Sequence, residues 1–206
     1  MRREECRAAG SPGTTHTSVG PTLTWSRSDP PGTTTFASLN SSTLPAAVDE
    51  FGCPAVVKPR TGADGRGVVV VRDREALTRV SQGPWLVQPL VESVRTDGEQ
   101  SVFVFDGRAT SQLRKVAGND DIRVHEHHGG ASHPTPLDPA AAALATRTIA
   151  SAGEVVGTNL AYGRVDMLHH QGRLVVSEIE LIEPSLYLAE IPENAEAFAD
   201  MLRTRL

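Results

Sequence analysis

Three acidic side chains and an arginine lie in the C-terminal part of the sequence in a pattern that favours metal binding. Arg164 and Asp166 stand two residues apart in GRVDML, and Glu178 and Glu180 stand two residues apart in VVSEIEL. Carboxylate oxygens are the ligands that hard divalent cations prefer. An ordinary solvated strand face, with Arg164 paired to one of the acids, would explain the same residues.

The residues around these acids alternate between apolar and polar, which predicts two strands joined by the polar turn HHQG. Odd-numbered positions carry the apolar set: Val165, Met167, Val175, Ile179 and Leu181. Because a one-residue slip would expose one whole apolar set, we expect both odd faces to lie on the same side of the sheet. The acids and Arg164 then converge on the other face, where opposing side chains are about 5 Å apart.

A lysine followed by a glycine-rich loop is a second candidate site. In VVKPRTGADGRGVVVV, Lys58 ends one β-rich run, and Gly62, Gly65 and Gly67 lie before the next. Backbone N–H groups of such a loop can cover phosphate oxygens, and Lys58 would add positive charge. The spacing is neither that of a Walker A loop nor that of a dinucleotide fingerprint, both of which open a helix. A plain flexible turn is the alternative.

The elements that must position these residues begin near Leu44. Residues 1–43 are rich in Gly, Pro, Ser and Thr, so we expect them to be poorly ordered. A small α/β lobe is expected over residues 44–84, with a helix LPAAVDEF, strands PAVVK and GVVVV, and a short helix from Arg74 to Ser81 behind Asp73.

A larger and mainly antiparallel lobe is expected over residues 85–206. Its predicted strands are WLVQPLV, QSVFVF, RATSQLRK and DIRVHEH, with a tight turn at Asp106–Gly107. Asp138 as N-cap and Pro139 in the first turn predict an alanine-rich helix that Gly153 closes, and Pro192 opens a C-terminal helix.

Composition argues against several classes of protein. The formal charge of -5 comes with no basic block, so nucleic acid is not expected as a partner. The longest aliphatic run, Val68–Val71, is far shorter than the roughly 20 residues of a membrane span. Cys6 and Cys53 form no metal or redox spacing, and no leader-type segment is visible, so we expect a cytoplasmic location.

The order of these motifs resembles that of ATP-grasp ligases, especially the branch of glutathione-synthetase-like ATP-binding domains, the ribosomal-protein S6 glutamate ligase and the cycloserine-biosynthesis cyclo-ligase. The motifs are VVKPRTGADGRGV, LVQPLVES, DGEQSVFVFDG, SQLRKV, DIRVHEHHGG, GRVDML and VVSEIELIEPSLYL. The resemblance covers roughly residues 44–190. It implies an α+β fold whose two lobes of mainly antiparallel sheet clasp ATP. It also implies that the α/β domain which precedes this region in family members is missing from residues 1–43.

The resemblance implies a role for each matching residue. ATP phosphate contacts are implied for Lys58, Gly62, Gly65 and Gly67. The adenine hinge is implied for Gln88 to Val91, including Leu90, with Glu99 as a further nucleotide contact. The residues implied to steady the phosphoryl group or the acyl phosphate are Arg114, Arg123 and Arg164. Those implied to bind Mg²⁺, or Mn²⁺ in its place, are Asp166, Glu178 and Glu180. The family commonly has Asn where Glu180 stands, so metal or nucleotide affinity is expected to differ.

The reaction implied is attack of a substrate carboxylate on the γ-phosphate of ATP, followed by displacement of the acyl phosphate by an amine. Small amino-acid or peptide-like substrates are expected. One alternative is a truncated, catalytically silent nucleotide-binding domain. Another is a zinc hydrolase, suggested by His125, His127, His128 and His133. The usual H-x-H-x-D-H pattern is not met, because Gly129 and Gly130 follow the third of these histidines.

Overall fold

The computed structural model describes residues 36–38, 43–80, 83–118 and 121–205. The chain divides after Leu90 into two compact units. The predicted boundary, between residues 84 and 85, lies one strand earlier. The reason is that the strand Trp85–Pro89 pairs with Ala55–Pro59 and therefore belongs to the first unit.

The first unit contains a four-stranded sheet with the order β1-β4-β2-β3, in which all pairs are antiparallel. Its elements are β1 (Phe36–Ser38), α1 (Leu44–Phe51), β2 (Ala55–Pro59), β3 (Val69–Val71), a 3₁₀ helix (Arg74–Arg79) and β4 (Trp85–Pro89). Strand β1 lies inside the segment expected to be poorly ordered; apart from this strand and Thr43, that segment lies outside the described residues. As predicted, Asp73 caps the 3₁₀ helix, accepting from the N–H of Ala76 at 3.0 Å.

The second unit contains a five-stranded antiparallel sheet with the order β7-β6-β5-β8-β9. Its elements are α2 (Ser93–Thr96), β5 (Glu99–Phe105), β6 (Arg108–Val116), β7 (Ala131–Thr135), α3 (Pro139–Val156), β8 (Tyr162–His170), β9 (Arg173–Glu180) and α4 (Glu193–Arg205). Helix α3 packs Ala145 and Ile149 against Val165 and Met167 on one face. On the other face, Met201 of α4 packs with Phe103 and Leu113.

Helix α3 begins as predicted and ends later than predicted. Asp138 accepts from the N–H of Ala141 at 2.8 Å, and the helix ends at Val156, capped by Gly157, which is left-handed with φ 79°. Gly153 lies inside the helix instead of closing it. A Cβ on Gly153 would come within 2.8 Å of the carbonyl oxygen of Thr158, so the absence of a side chain there permits a close backbone approach.

The predicted strand over DIRVHEH is wrong. The carboxylate of Asp121 accepts from the backbone N–H groups of Ile122 and Arg123, at 2.7 and 3.0 Å, which bends the chain. A 3₁₀ turn follows at Glu126–His128, and Gly129 then adopts a left-handed conformation. The strand that pairs with the outer side of β6 is β7, which begins only at Ala131. Among the helices of the described residues, none is both long enough and apolar enough to span a membrane.

Candidate functional site

A β-bulge in the hairpin β8–β9 brings the acidic side chains to one face of the sheet. The tight turn at Gln171–Gly172 has left-handed backbone at both residues and, without interruption, would pair Asp166 with Ser177. The register instead shifts by one residue, so that Asp166 pairs with Glu178. Ser177 is the extra residue, and its hydroxyl donates to the backbone carbonyl of Asp166 at 3.0 Å.

The predicted convergence of Arg164, Asp166, Glu178 and Glu180 on one face is confirmed by this register, since Arg164 pairs with Glu180 in the same ladder. One member of the predicted apolar face is wrong. The bulge at Ser177 reverses the alternation of the residues that precede it on β9. Val175 therefore lies opposite Leu168, whereas Leu174 and Val176 pack with Met167.

Asp166 is the centre of a buried charge network. Only 2% of the residue is exposed, and its two carboxylate oxygens accept from three side chains. Arg164 donates from Nε to Oδ1 and from Nη2 to Oδ2, both at 2.9 Å. Ser101 donates to Oδ1 at 2.6 Å, and Lys115 Nζ donates to Oδ2 at 3.1 Å. This carboxylate is therefore already fully hydrogen-bonded.

The network moves the pKa values of its members in directions that follow from burial and charge. Burial opposes ionisation of Asp166, but Lys115 and Arg164 outweigh it and hold the pKa of that carboxyl well below its usual range. Burial likewise opposes the charged forms of Lys115 and Arg164, but the adjacent carboxylates raise both pKa values above their usual range. The pKa values of Glu99 and Glu180 are raised, chiefly by burial.

The acids fit a divalent cation in both distance and charge. Among the described residues, Asp166, Glu178 and Glu180 form a group with converging ligand atoms. Their carboxylate oxygens lie within 4.8 Å of one another. Glu178 is exposed, and Glu180 bonds to Arg164. When ionised, the four carboxylates of Glu99 and these three acids face the two cations Lys115 and Arg164, which leaves two negative charges in excess.

A second bulge, in β5–β6, decides which basic residue of SQLRKV reaches the acids. In an uninterrupted hairpin, the turn at Asp106–Gly107 would place Arg114 opposite Glu99. Thr110 is an extra residue, so Glu99 pairs with Lys115 instead, and Lys115 Nζ donates to Glu99 Oε1 at 2.9 Å. Lys115 was not among the predicted site residues. The sequence signal for Lys115 is that it stands two residues after Leu113, which is fully buried. Alternation along the strand places both side chains on the same face.

The other two predicted arginines make different contacts. Alternation turns Arg114 to the face opposite Lys115, and its Nε donates to the backbone carbonyl of Asp97 at 2.8 Å. Arg123 pairs with Asp121, with Nη2 2.6 Å from Oδ2. This hydrogen-bonded pair lowers the pKa of Asp121 to about 2. Of the three predicted arginines, Arg164 is therefore the one that the structure places against the acids.

The first unit holds the lysine and its glycine loop. Lys58 lies half-buried on β2, opposite Leu86 of β4. Gly65 and Gly67 have left-handed φ angles of 65° and 74°, and a Cβ on Gly67 would come within 2.8 Å of Pro59 Cγ. These glycines are required for the path of the loop.

The predicted hinge lies where the chain passes from the first unit to the second. Gln88 pairs with Val56 in the sheet, and the N–H of Leu90 donates to the carbonyl of Pro54 at 3.0 Å. Val91 is the first residue of the second unit and is buried there. Glu99 lies in the second unit, within the charge network.

The histidines cluster without forming a metal site among the described residues. The ring centroids of His127 and His128 are 4.2 Å apart, and that of His125 lies 5.5 and 6.2 Å from them. His133 lies on β7 opposite Arg114. Because no set of converging ligand atoms in the described ranges includes a histidine, the zinc-hydrolase alternative receives no support.

The fold is the α+β fold of ATP-grasp proteins. The crystal structure of the D-cycloserine synthetase DcsG superposes with a TM-score of 0.68 at 27% identity, covering 83% of this chain and 64% of that one. A D-alanine–D-alanine ligase from Bacillus anthracis gives a TM-score of 0.58 at 20% identity, covering 83% of this chain and 62% of the ligase, which supports the fold alone. The sequence model of the RimK-like ATP-grasp domain family matches residues 34–202, and the chain belongs to this family.

Curated relatives share sequence over the same region. A "Probable alpha-L-glutamate ligase" of Thioalkalivibrio sulfidiphilus is 33% identical over 135 residues, covering 62% of this chain and 42% of the relative. The cycloserine biosynthesis protein DcsG of Streptomyces lavendulae is 34% identical over 125 residues, covering 59% and 42%. The chain therefore spans less than half the length of these relatives.

Proposed function

We propose that this chain binds Mg-ATP and uses it to activate a carboxylate for ligation to an amine. The observation that carries the proposal is the convergence of Asp166, Glu178 and Glu180 on one sheet face beside Lys115 and Arg164. Such a set of acids and bases suits phosphoryl transfer, which needs positioning and charge neutralisation more than a protein nucleophile. Membership in the ATP-grasp family, whose named relatives include ligases, supports the same reaction class.

In this proposal most of the nucleotide contacts belong to the first unit. Lys58 contacts phosphate, and the loop containing Gly62, Gly65 and Gly67 covers the phosphates with backbone N–H groups. The segment Gln88–Val91, which includes Leu90, is the adenine hinge.

The metal ligands in the proposal are Asp166, Glu178 and Glu180, and Glu99 is a supporting acid. Mg²⁺, for which Mn²⁺ can substitute, would neutralise phosphate charge when bound. The exposed carboxylate of Glu178 is open to such an ion, whereas Asp166 must exchange one of its present hydrogen bonds.

Two basic side chains stabilise the phosphoryl group or the acyl phosphate in the proposal. Arg164 retains the role that the sequence predicts, and Lys115 takes the role predicted for Arg114, because Lys115 lies on the acid face. Arg123 is retained as a substrate-side candidate. Loss of one such group costs about 10²-fold to 10³-fold in rate in comparable sites.

The proposed substrates are small amino acids or peptides. This proposal rests on the relatives, which are named for glutamate ligation and for cycloserine biosynthesis. A cytoplasmic location, with neither nucleic acid nor membrane as a partner, fits an ATP-dependent reaction on such substrates.

Trapping of the acyl phosphate with hydroxylamine tests the proposal. Purified protein, Mg-ATP and a panel of amino acids are incubated with hydroxylamine, and hydroxamate and ADP are measured together. Equal amounts of the two products are expected, with loss of both in Glu178→Gln. Binding of ATP without ADP formation across the panel would favour the silent domain, and failure of the folded protein to bind ATP would contradict the proposal.

A further inference from the structure

The loop between β9 and α4, residues 181–192, contacts the guanidinium group of Arg164. Arg164 Nη1 donates to the carbonyl oxygen of Ser185 at 3.3 Å. The guanidinium carbon also lies over the ring of Tyr187, 5.9 Å from its centroid, which is cation–π distance. Arg164 is therefore held from two directions, by acids of the sheet and by this loop.

The backbone of Tyr187 is held in an unusual conformation. Its φ angle of 49° is left-handed, which a bulky residue rarely adopts. Its carbonyl accepts from the N–H groups of Ile191 and Glu190, at 2.8 and 3.2 Å. The neighbouring carbonyl of Leu186 accepts from the amide of Asn194, which is fully buried, at 2.7 Å. The surrounding hydrogen bonds thus determine where the tyrosine stands.

The ring of Tyr187 is also fixed in direction. It packs edge-on against Phe103, with centroids 6.2 Å apart and the planes at 65°. Phe103 is fully buried in the core between the sheet and α4. Backbone strain of this kind persists only where the surrounding structure fixes it, and here the strained residue places its ring beside the charged group of Arg164.

A bound cation would compete with Arg164 for the carboxylate oxygens of the proposed metal site. Arg164 Nε and Nη2 bond to the oxygens of Asp166 and Glu180, which are the proposed ligands. A cation that takes these oxygens must displace some of those hydrogen bonds. The contacts with Ser185 and Tyr187 do not involve the acids.

We propose that Tyr187 is a positioning residue that, with the Ser185 carbonyl, holds the Arg164 guanidinium when Asp166 and Glu180 bind a divalent cation. The released N–H groups of Arg164 then point to an anionic group of the substrate or nucleotide. The identity of this anion rests on the proposed function. The positioning role itself requires only the cation.

Mn²⁺ binding without nucleotide, measured by the electron paramagnetic resonance of free ion, tests this role. Tyr187→Leu removes the ring, so the exchange at Asp166 loses support and Mn²⁺ binding is expected to weaken about 3-fold to 10-fold. Tyr187→Phe keeps the ring and is expected to bind within 2-fold of wild type, on the order of experimental scatter. Tyr187→Gly relieves the left-handed backbone and is expected to bind as weakly as Tyr187→Leu, which separates the ring from the strain.

Phe198→Leu is the matched control, because Phe198 packs in the same apolar cluster and makes edge-to-face contacts with Phe105 and Tyr162. It is expected to lower the melting temperature without changing Mn²⁺ affinity. Unchanged Mn²⁺ binding in Tyr187→Leu, or equal weakening in Phe198→Leu, would overturn the inference while leaving hydroxamate formation by wild type intact. Absence of Mn²⁺ binding by folded wild type would overturn both the inference and the metal site.

Discussion

The glycine loop after Lys58 and the acidic hairpin β8–β9 both carry proposed nucleotide contacts, but the fold depends on them to different degrees. The loop is mostly exposed, and its conformation depends on left-handed glycines. The hairpin buries Asp166 beneath Arg164 and Lys115. Substitutions in the loop should therefore alter binding with small effects on stability, whereas substitutions at the centre of the hairpin should alter both.

The largest effect is expected for Asp166→Asn. It removes the carboxylate charge that pairs with both Lys115 and Arg164, and breaking a buried ion pair in this way costs about 3 to 5 kcal/mol of unfolding free energy. Urea denaturation measures this loss. Glu178→Gln is the control, because its exposed side chain should change stability by less than about 0.5 kcal/mol. Equal effects of the two substitutions would contradict the distinction between buried and exposed acids.

The stability difference between wild type and Asp166→Asn is expected to depend on pH. The folded pKa of Asp166 is lowered, so its stabilising contribution is present above the unfolded pKa of about 3.9 and is lost as pH falls through the lower folded value. The stability difference between wild type and Asp166→Asn is therefore expected to persist at neutral pH. It should shrink only in strong acid, which a series of urea titrations would show.

Magnesium should stabilise the second unit through its acids. Binding to the folded state alone adds about 2.7 kcal/mol when the ion is present at 100 times its Kd. A rise in melting temperature with Mg²⁺, reversed by a chelator, is expected for wild type and not for Glu178→Gln. A similar rise in both proteins would place the ion elsewhere.

A smaller loss of stability is expected for Gly67→Ala. The left-handed φ of 74° and the 2.8 Å approach of a Cβ to Pro59 predict a cost of about 1 to 2 kcal/mol. Gly62→Ala is the matched control, because its Cβ would meet Pro59 at an ordinary 3.7 Å. Thermal unfolding of the two variants compares them directly, and equal losses would show that the loop has no special conformation at Gly67.

The smallest effect on stability is expected for Lys58→Ala, below about 0.5 kcal/mol, because the lysine is only half-buried at the end of β2. Its effect on ATP affinity should be larger, since a phosphate would lose a charged partner. Denaturation and equilibrium nucleotide binding on the same sample separate the two quantities. Unchanged affinity would remove Lys58 from the proposed site.

Alternation and helix capping were sufficient to predict much of this fold. The shared face of Arg164, Asp166, Glu178 and Glu180 follows from a requirement to bury Val165 and Met167. The start of α3 follows from the local chemistry of Asp138. In both cases the apolar or capping residue that causes the feature stands next to the residues that it positions.

The features that differ from the predictions depend on backbone geometry that has no distinctive local pattern in the sequence. A tight turn defines a hairpin register only until a bulge interrupts it, and the extra residues Thr110 and Ser177 have no distinctive local pattern. These bulges explain why alternation alone does not place Lys115 opposite Glu99 and predicts the wrong face for Val175. Gly153 matches the sequence pattern of a helix end, because its close approach to Thr158 is not visible in the sequence.

Calorimetric titration of ATP, with and without Mg²⁺, into wild type and Glu178→Gln tests the central claim most directly. Wild type is expected to bind ATP in a magnesium-dependent manner. Glu178→Gln is expected to lose that dependence while unfolding at the same urea concentration as wild type. The assignment of Asp166, Glu178 and Glu180 as the metal site would be contradicted if folded wild type did not bind ATP. It would also be contradicted if wild type bound ATP equally well with and without magnesium.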